Sequence, residues 1–292
     1  AAGFGTYATL NMLVNIGNNR YRLIDFWTGT YRAATGSGAL NTLPISVAPY
    51  AVKFEKRLLV KIMFLALFFA TIQYMFMLGT RTQFAILLLI VILAALQFAY
   101  SEQGIAGVLK CIGIMAVISL IAFLLYHFNV LSIREYILST NLAARYERRA
   151  SLESSDSFRF QSFWIGLREL IQYPMGGRAS QIYRHNMWLD VGRVSGIIPF
   201  CLLLVYSIKN FANVTAIWKN TKILPSLRYL LLFLYIGAYV NCFVEPIWEG
   251  ALNFFLALCV VDGMVSAMMR RLENDPNSEE SVPDASNLHA DL

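Results

Sequence analysis

Long apolar runs constrain this chain more than any other feature. A helix crosses a bilayer with about 20 apolar residues, and six stretches meet that need: residues 58–78, 84–100, 104–126, 191–208, 229–248 and 251–269. Two weaker stretches lie at 1–16 and 39–52. Composition agrees. Hydrophobic residues make up 57% of the 292 and charged residues 14%, against about 45–50% and about 25% in soluble domains. Mean hydropathy is +0.54. This balance excludes a soluble enzyme, a disordered chain and a nucleic-acid binder. The net charge of +6 names no partner by itself. Cys111, Cys201, Cys242 and Cys259 stand singly in apolar stretches, so neither a metal-ligand spacing nor a disulfide framework can be read. The chain opens on Ala1 without a signal-peptide pattern, and further residues are expected to precede it.

Lysine and arginine in short loops set orientation. Lys53, Lys56, Arg57 and Lys61 precede the first strong span, Lys209, Lys219, Lys222 and Arg228 lie between the fourth and fifth, and Arg270 and Arg271 follow the last. Alternate threading puts these clusters on one side, taken as cytoplasmic. The expected fold is all-α, a polytopic membrane bundle of six to eight helices over residues 1–269. Residues 270–292, rich in Glu, Asn, Asp, Pro and Ser, read as a disordered cytoplasmic tail. The opposite face receives residues 20–37, the turn 79–83 and the long polar segment 127–190. That segment is the largest piece outside the spans and the natural place for function.

Residues 127–193 hold nine arginines and no lysine. Arginine offers a planar fork that binds phosphate bidentately. Glu135, Glu147, Glu153, Asp156 and Glu169 cannot neutralise all of them, so an anionic ligand is expected, with some arginines in structural pairs. Arg81, between two spans, fits a snorkelling interfacial side chain and a phosphate ligand equally. Residues 158–173 read as an amphipathic helix with Phe160, Phe163, Trp164, Leu167, Leu170 and Ile171 on one face. Pro174, Gly176 and Gly177 end it. Such a helix is expected to lie on the outer membrane surface, bringing Arg159 and Arg168 to headgroup level.

Asn186 is a good helix N-cap, which puts His185 at the mouth of the helix that follows. The positive helix end and the nearby arginines favour a neutral imidazole, able to take a proton from a sugar hydroxyl. The same helix end favours an anion. Gly192 and Gly196 permit close packing. Asp190 and Arg193, one turn apart, are expected to pair. Glu245 and Glu249 read as membrane-boundary residues, with Glu245 also a candidate base or sugar ligand.

Four features in order resemble the O-antigen ligase and O-antigen polymerase superfamily of bacterial envelope proteins. They are Gly36-Ser37-Gly38-Ala39-Leu40-Asn41, the turn Thr80-Arg81-Thr82, the arginine-aromatic helix from Arg159 ending in Pro174-Met175-Gly176, and His185-Asn186-Met187-Trp188-Leu189 leading to Gly196. The resemblance covers roughly residues 36–269. The family usually carries more spans on the N-terminal side. An Arg-x10-Gly pattern found in some polymerases is missing here.

The resemblance implies an inner-membrane enzyme that moves a glycan from an undecaprenyl pyrophosphate carrier to a sugar hydroxyl on the periplasmic face. The acceptor is a glycan or lipid A-core, in surface polysaccharide or lipopolysaccharide synthesis. It implies no cofactor, metal or nucleic acid, and as partners membrane lipid and a chain-length regulator or flippase. By analogy Arg81 and Arg159 hold the pyrophosphate, joined by Arg184, and His185 serves the acceptor hydroxyl. Asn186, Arg168, Arg178 and Glu245 are supporting candidates. The competing readings are a transporter or flippase of lipid-linked sugars and a non-catalytic assembly factor.

Overall fold

The computed structural model describes residues 2–15, 23–32, 34–150 and 155–274. The described chain is all-α, as expected, apart from two-residue strands β1 (Leu23–Ile24) and β2 (Tyr31–Arg32) that pair antiparallel. The helices are α1 (Ala2–Val14), α2 (Ala34–Phe54), α3 (Leu58–Leu78), α4 (Arg81–His127), α5 (Ile133–Ser139), α6 (Asn141–Ala150), α7 (Ser155–Gln172), α8 (Met187–Ser195), α9 (Ile197–Lys219), α10 (Pro225–Val244), α11 (Ile247–Gly250) and α12 (Leu252–Asn274). Among the described residues five helices are long and apolar enough to cross a membrane: α3, α4, α9, α10 and α12. Their outer faces stay apolar, with Leu59 82% and Ile105 73% exposed. Patches on this scale mark a surface that meets something other than water, and with the helix lengths they identify a membrane protein.

The 47-residue α4 is two apolar segments joined at Gly104, whose φ of 59° and ψ of −143° leave the helical region. A Cβ on Gly107 would strike the Ala99 carbonyl. Residues eight apart in a continuous helix are about 12 Å apart, so the chain turns sharply here. Glycine takes positive φ without the steric penalty of a side chain, which is why the windows 84–100 and 104–126 are separate in sequence. One other expectation needs correction. The window 191–208 is not one helix: it breaks at Gly196 (φ 94°), and the spanning helix runs Ile197–Lys219. The window 1–16 holds the 13-residue α1.

α2 is the central helix, packed against α1, α3, α4, α10 and α11. Its apolar side, Ala39, Leu40 and Leu43, meets Leu234, Ala238, Cys242, Phe254 and Leu258. It also carries small polar residues, and Ser37, Asn41, Thr42 and Ser46 are all buried. Gly237 of α10 lies directly on Ser46 and Thr42. The two ends of the bundle differ. At one, Lys53 pairs with Glu102, and Phe54, Phe98, Trp218 and Tyr229 pack together, mostly edge to face. At the other lie the 79–83 turn, the 173–186 segment and the α10–α12 connection.

The α2–α10 seam yields a compensation test. A Cβ at Gly237 would sit inside the contact shell of Ser46 Oγ. Gly237→Ala should cost about 1–3 kcal/mol, read as a lower unfolding temperature in detergent. Adding Ser46→Ala removes the clashing oxygen and should restore most of the loss.

Candidate functional site

The site is built where α10 ends. On one side, α2 and the start of α4 are in van der Waals contact. A Cβ on Gly38 would lie 2.8 Å from Gln83 Oε1 and 3.0 Å from Thr80 Cγ2, so only glycine admits this approach. Gln83 Nε2 donates to Asn241 Oδ1 of α10 at 3.3 Å. Thr82 Oγ1 donates to the Glu245 carboxylate just beyond α10. Gly36 packs on the Gly250 carbonyl. The Gly36–Asn41 and Thr80–Thr82 motifs, some 40 residues apart in the chain, are thus one surface.

That surface is polar and incompletely satisfied. Ser37 Oγ, both polar atoms of Asn41, Thr42 Oγ1, Thr80 Oγ1, Asn241 Nδ2 and Arg81 Nη1 are buried and make no hydrogen bond to another protein group. Each buried polar group left this way costs about 1–3 kcal/mol, and natural proteins keep few without a reason. The reason offered by this set is a polar ligand.

On the other side of α10 lies the 174–196 segment. Its Pro-x-Gly and His-Asn motifs interlock through backbone. Gly177 N–H donates to Val194 O at 2.9 Å, Arg178 N–H to Arg193 O at 3.1 Å and Ile197 N–H to Pro174 O at 2.8 Å. Gly176 has φ 73°, and a Cβ there would collide with the Gly196 backbone nitrogen. The break between α8 and α9 therefore needs Gly176 as much as Gly196.

His185 is fixed by its neighbours. Asn186 caps α8 as expected, its Oδ1 accepting from Leu189 N–H at 3.1 Å. Its Nδ2 donates to Phe243 O at 3.2 Å. Arg184 N–H donates to Asp190 Oδ1 at 2.6 Å. Between these two anchors His185 takes φ 55°, the left-handed region. For a residue with a side chain this persists only where the surroundings over-determine it, and such residues cluster at functional sites. The ring meets Tyr183 edge-on at 4.7 Å. His185 and Arg81 thus stand on segments that converge on the last turn of α10, one through Phe243 and the other through Glu245.

The arginines divide. Arg184 grips Glu169 bidentately at 2.8 and 3.1 Å, and Arg178 meets the same carboxylate at 3.2 Å while covering Tyr173 at 4.2 Å. Arg184 and Arg178 reach the site as ion-pair partners, not as uncommitted cations. Arg193 forms the expected pair with Asp190 at 3.6 Å. Its guanidinium also meets Glu249 and donates to the carbonyls of Arg178, Ala179 and Gln181. Burial pushes the Asp190 carboxyl up from its ordinary value, opposed by the Arg184 N–H and the Arg193 charge. Arg168 points outward. Arg159 lies on α7 with its side chain outside the described residues, as are Arg20, Arg22 and the tail beyond Asn274.

Of the six apolar residues expected on one face of α7, Leu170 alone is buried. Ser162, Gly166, Glu169 and Leu170 turn inward, while Phe160 (67% exposed) and Ile171 (80%) face out. The Arg184–Glu169 pair decides the rotation, because both groups are buried and each needs the other. Sequence reasoning also missed Gln83 and Asn241. Asn241 is a lone amide inside an apolar run, and Gln83 closes the Thr80–Thr82 turn; those are the signals that could have found them. Compared with known proteins, the chain matches no family model and no curated protein.

The Arg193 hub can be tested directly. Arg193→Met keeps much of the volume but strands Asp190 and three carbonyls. It should cost about 3–5 kcal/mol, measured as a fall in unfolding temperature, with faster proteolysis between residues 178 and 184.

Proposed function

We propose that the chain is an O-antigen polymerase- or ligase-like membrane glycosyltransferase. It would move a glycan from an undecaprenyl pyrophosphate carrier to a sugar hydroxyl at the periplasmic face of the bacterial inner membrane. One observation carries the reading. Four motifs that are weak singly, spread from Gly36 to Leu189, meet around the last turn of α10 beside buried polar groups with no protein partner. The orientation rests on the lysine-bearing end being cytoplasmic, which places this site and residues 127–190 outside. In the proposed arrangement the apolar segments are six spans, α4 supplying two, with α1 and α2 completing the bundle.

The chemistry follows from the groups present. The acceptor hydroxyl oxygen attacks the anomeric carbon and forms the new glycosidic bond. The bond from that carbon to the pyrophosphate oxygen breaks, and its electron pair leaves with the pyrophosphate. The hydroxyl proton passes to the His185 imidazole. Charge grows on the leaving pyrophosphate, and fixed donors beside a low-dielectric membrane stabilise it. Arg81, with Nη1 buried and uncommitted, is assigned that role, together with Arg159 on the family analogy. Arg184 contributes from within its pair with Glu169. Asn186 sets the His185 backbone, and Glu245 holds Thr82.

The flippase reading calls for a charge lining a path through the membrane midplane. Asp262 is a midspan carboxylate, but at 2% exposure it is enclosed by side chains of α9 and α10. That favours chemistry at the membrane surface over transport.

Transfer from purified undecaprenyl pyrophosphate-linked glycan to its acceptor tests the proposal. His185→Gln keeps a hydrogen-bonding side chain but cannot take the proton, and it should lower kcat about 10²–10⁴-fold. Arg81→Lys keeps the charge and loses the fork, and transfer should fall sharply at normal membrane abundance. Wild-type transfer should persist in EDTA. Near-normal turnover by His185→Gln would remove the base role. Orientation is read separately, by aqueous maleimide labelling of Ser180→Cys and Thr221→Cys in a cysteine-free background. Labelling from opposite sides is expected, and labelling from one side would overturn the topology.

A further inference from the structure

α8 carries the His185–Asn186 mouth, yet nothing along its own axis holds it. It is nine residues long and ends at Gly196, where ψ of −178° breaks the line to α9. Its direction has to come from lateral contacts. The polar one on the membrane side is Trp188, whose Nε1 donates to Ser207 Oγ of α9 at 3.0 Å.

Ser207 adjoins a buried polar node set within the spanning helices α9, α10 and α12. Asp262 lies ten residues into α12, about 15 Å along the axis at 1.5 Å per residue. Its Oδ2 accepts from Tyr206 at 2.7 Å and from Asn210 Nδ2 at 3.0 Å, both on α9. Its Oδ1 accepts from the Tyr235 hydroxyl of α10. Three donors from two helices thus converge on one carboxylate of a third. Two routes run from that node to Trp188. One follows α9, where Ser207 sits between Tyr206 and Asn210. The other is aromatic: Tyr235 stacks on Tyr239 at 5.7 Å, and Tyr239 stacks on the Trp188 ring at 6.3 Å.

We infer that Asp262 is a positioning residue: by fixing Tyr206, Asn210 and Tyr235 it sets the seat of Trp188, and through it the orientation of α8 and of His185. A carboxylate inside a span is costly, and an apolar residue would join three helices more cheaply. An acceptor on both oxygens serves a purpose packing cannot, because it fixes the rotation of α9 and α10 about their axes. Those rotations decide where Ser207 and Tyr239 present themselves to α8. The effect on catalysis rests on the function proposed above. The effect on α8 does not.

The test uses the whole protein in lipid nanodiscs. Trp188→Phe keeps the ring stack and removes the N–H, Tyr235→Phe removes one donor, and Asp262→Asn places an amide against donors. Hydrogen exchange is read peptide by peptide. Amides 187–195 should exchange about 10-fold faster in Asp262→Asn and Trp188→Phe, as expected for local opening. If Asp262→Asn fails to insert, Trp188→Phe and Tyr235→Phe carry the measurement. In the transfer assay kcat should fall about 10–100-fold, as slight misplacement of a reacting group can cause, while KM for the donor stays put. In a His185→Ala background Asp262→Asn should add nothing. Unchanged α8 exchange with faster exchange in α9, α10 and α12 would make Asp262 a simple clamp and overturn the inference. Absence of wild-type transfer would defeat the proposed function and leave the exchange result standing.

Discussion

A polar group inside an apolar bundle must be answered from within the chain, because lipid offers it nothing. Much of this structure follows from how that demand is met. Some hydroxyls meet it locally, by bonding back to a carbonyl one turn earlier: Ser46 to Thr42, Thr71 to Leu67 and Ser207 to Leu203. These are quiet residues. Asn41, Thr42, Thr80 and Asn241 are equally buried, and each keeps a side-chain atom without such a bond. The contrast within one bundle singles out the site more clearly than burial or charge alone. It also explains why α2 is central although it is among the less apolar long helices. Its small residues let α4 and α10 close on it, and its polar residues then face one shared space.

The parts of the fold legible in sequence are those set by local periodicity and composition. Apolar length marks the spans, the N-cap at Asn186 follows from its side chain, and Asp190 and Arg193 are paired by their one-turn spacing. Sequence misleads where a backbone event interrupts an unchanged composition. Gly196 divides residues 191–208 just after Arg193 and Ser195, and the break is held by Gly176 and Pro174 from a different segment. The inward side of α7 is set by a partner outside the helix. Its aromatic stripe outweighs Glu169 in the pattern, while a buried ion pair with Arg184 outweighs the stripe in the fold. The contact between Thr82 and Glu245 spans 163 residues, and no spacing rule reaches that far.

The arginine bias of the outer segments has two causes that composition cannot separate. Arg193 shows the first. It meets two carboxylates and three carbonyls from three segments, with its side chain almost wholly buried. Lysine has three donors on one nitrogen and cannot span such a set. Arg184 and Arg178 likewise share one carboxylate from two directions. These residues use the planar fork as an architectural element, tying irregular backbone together where neither helix nor sheet bonds are available. Arg81 shows the second cause. It starts a helix, keeps Nη1 buried without a protein acceptor, and stands beside hydroxyls and amides in the same condition. Loops built with arginine forks are basic, so Arg81 stands in a field that the scaffold supplies. Counted acceptor by acceptor, Arg178, Arg184 and Arg193 hold the loop, and the function proposed above assigns Arg81 to the ligand.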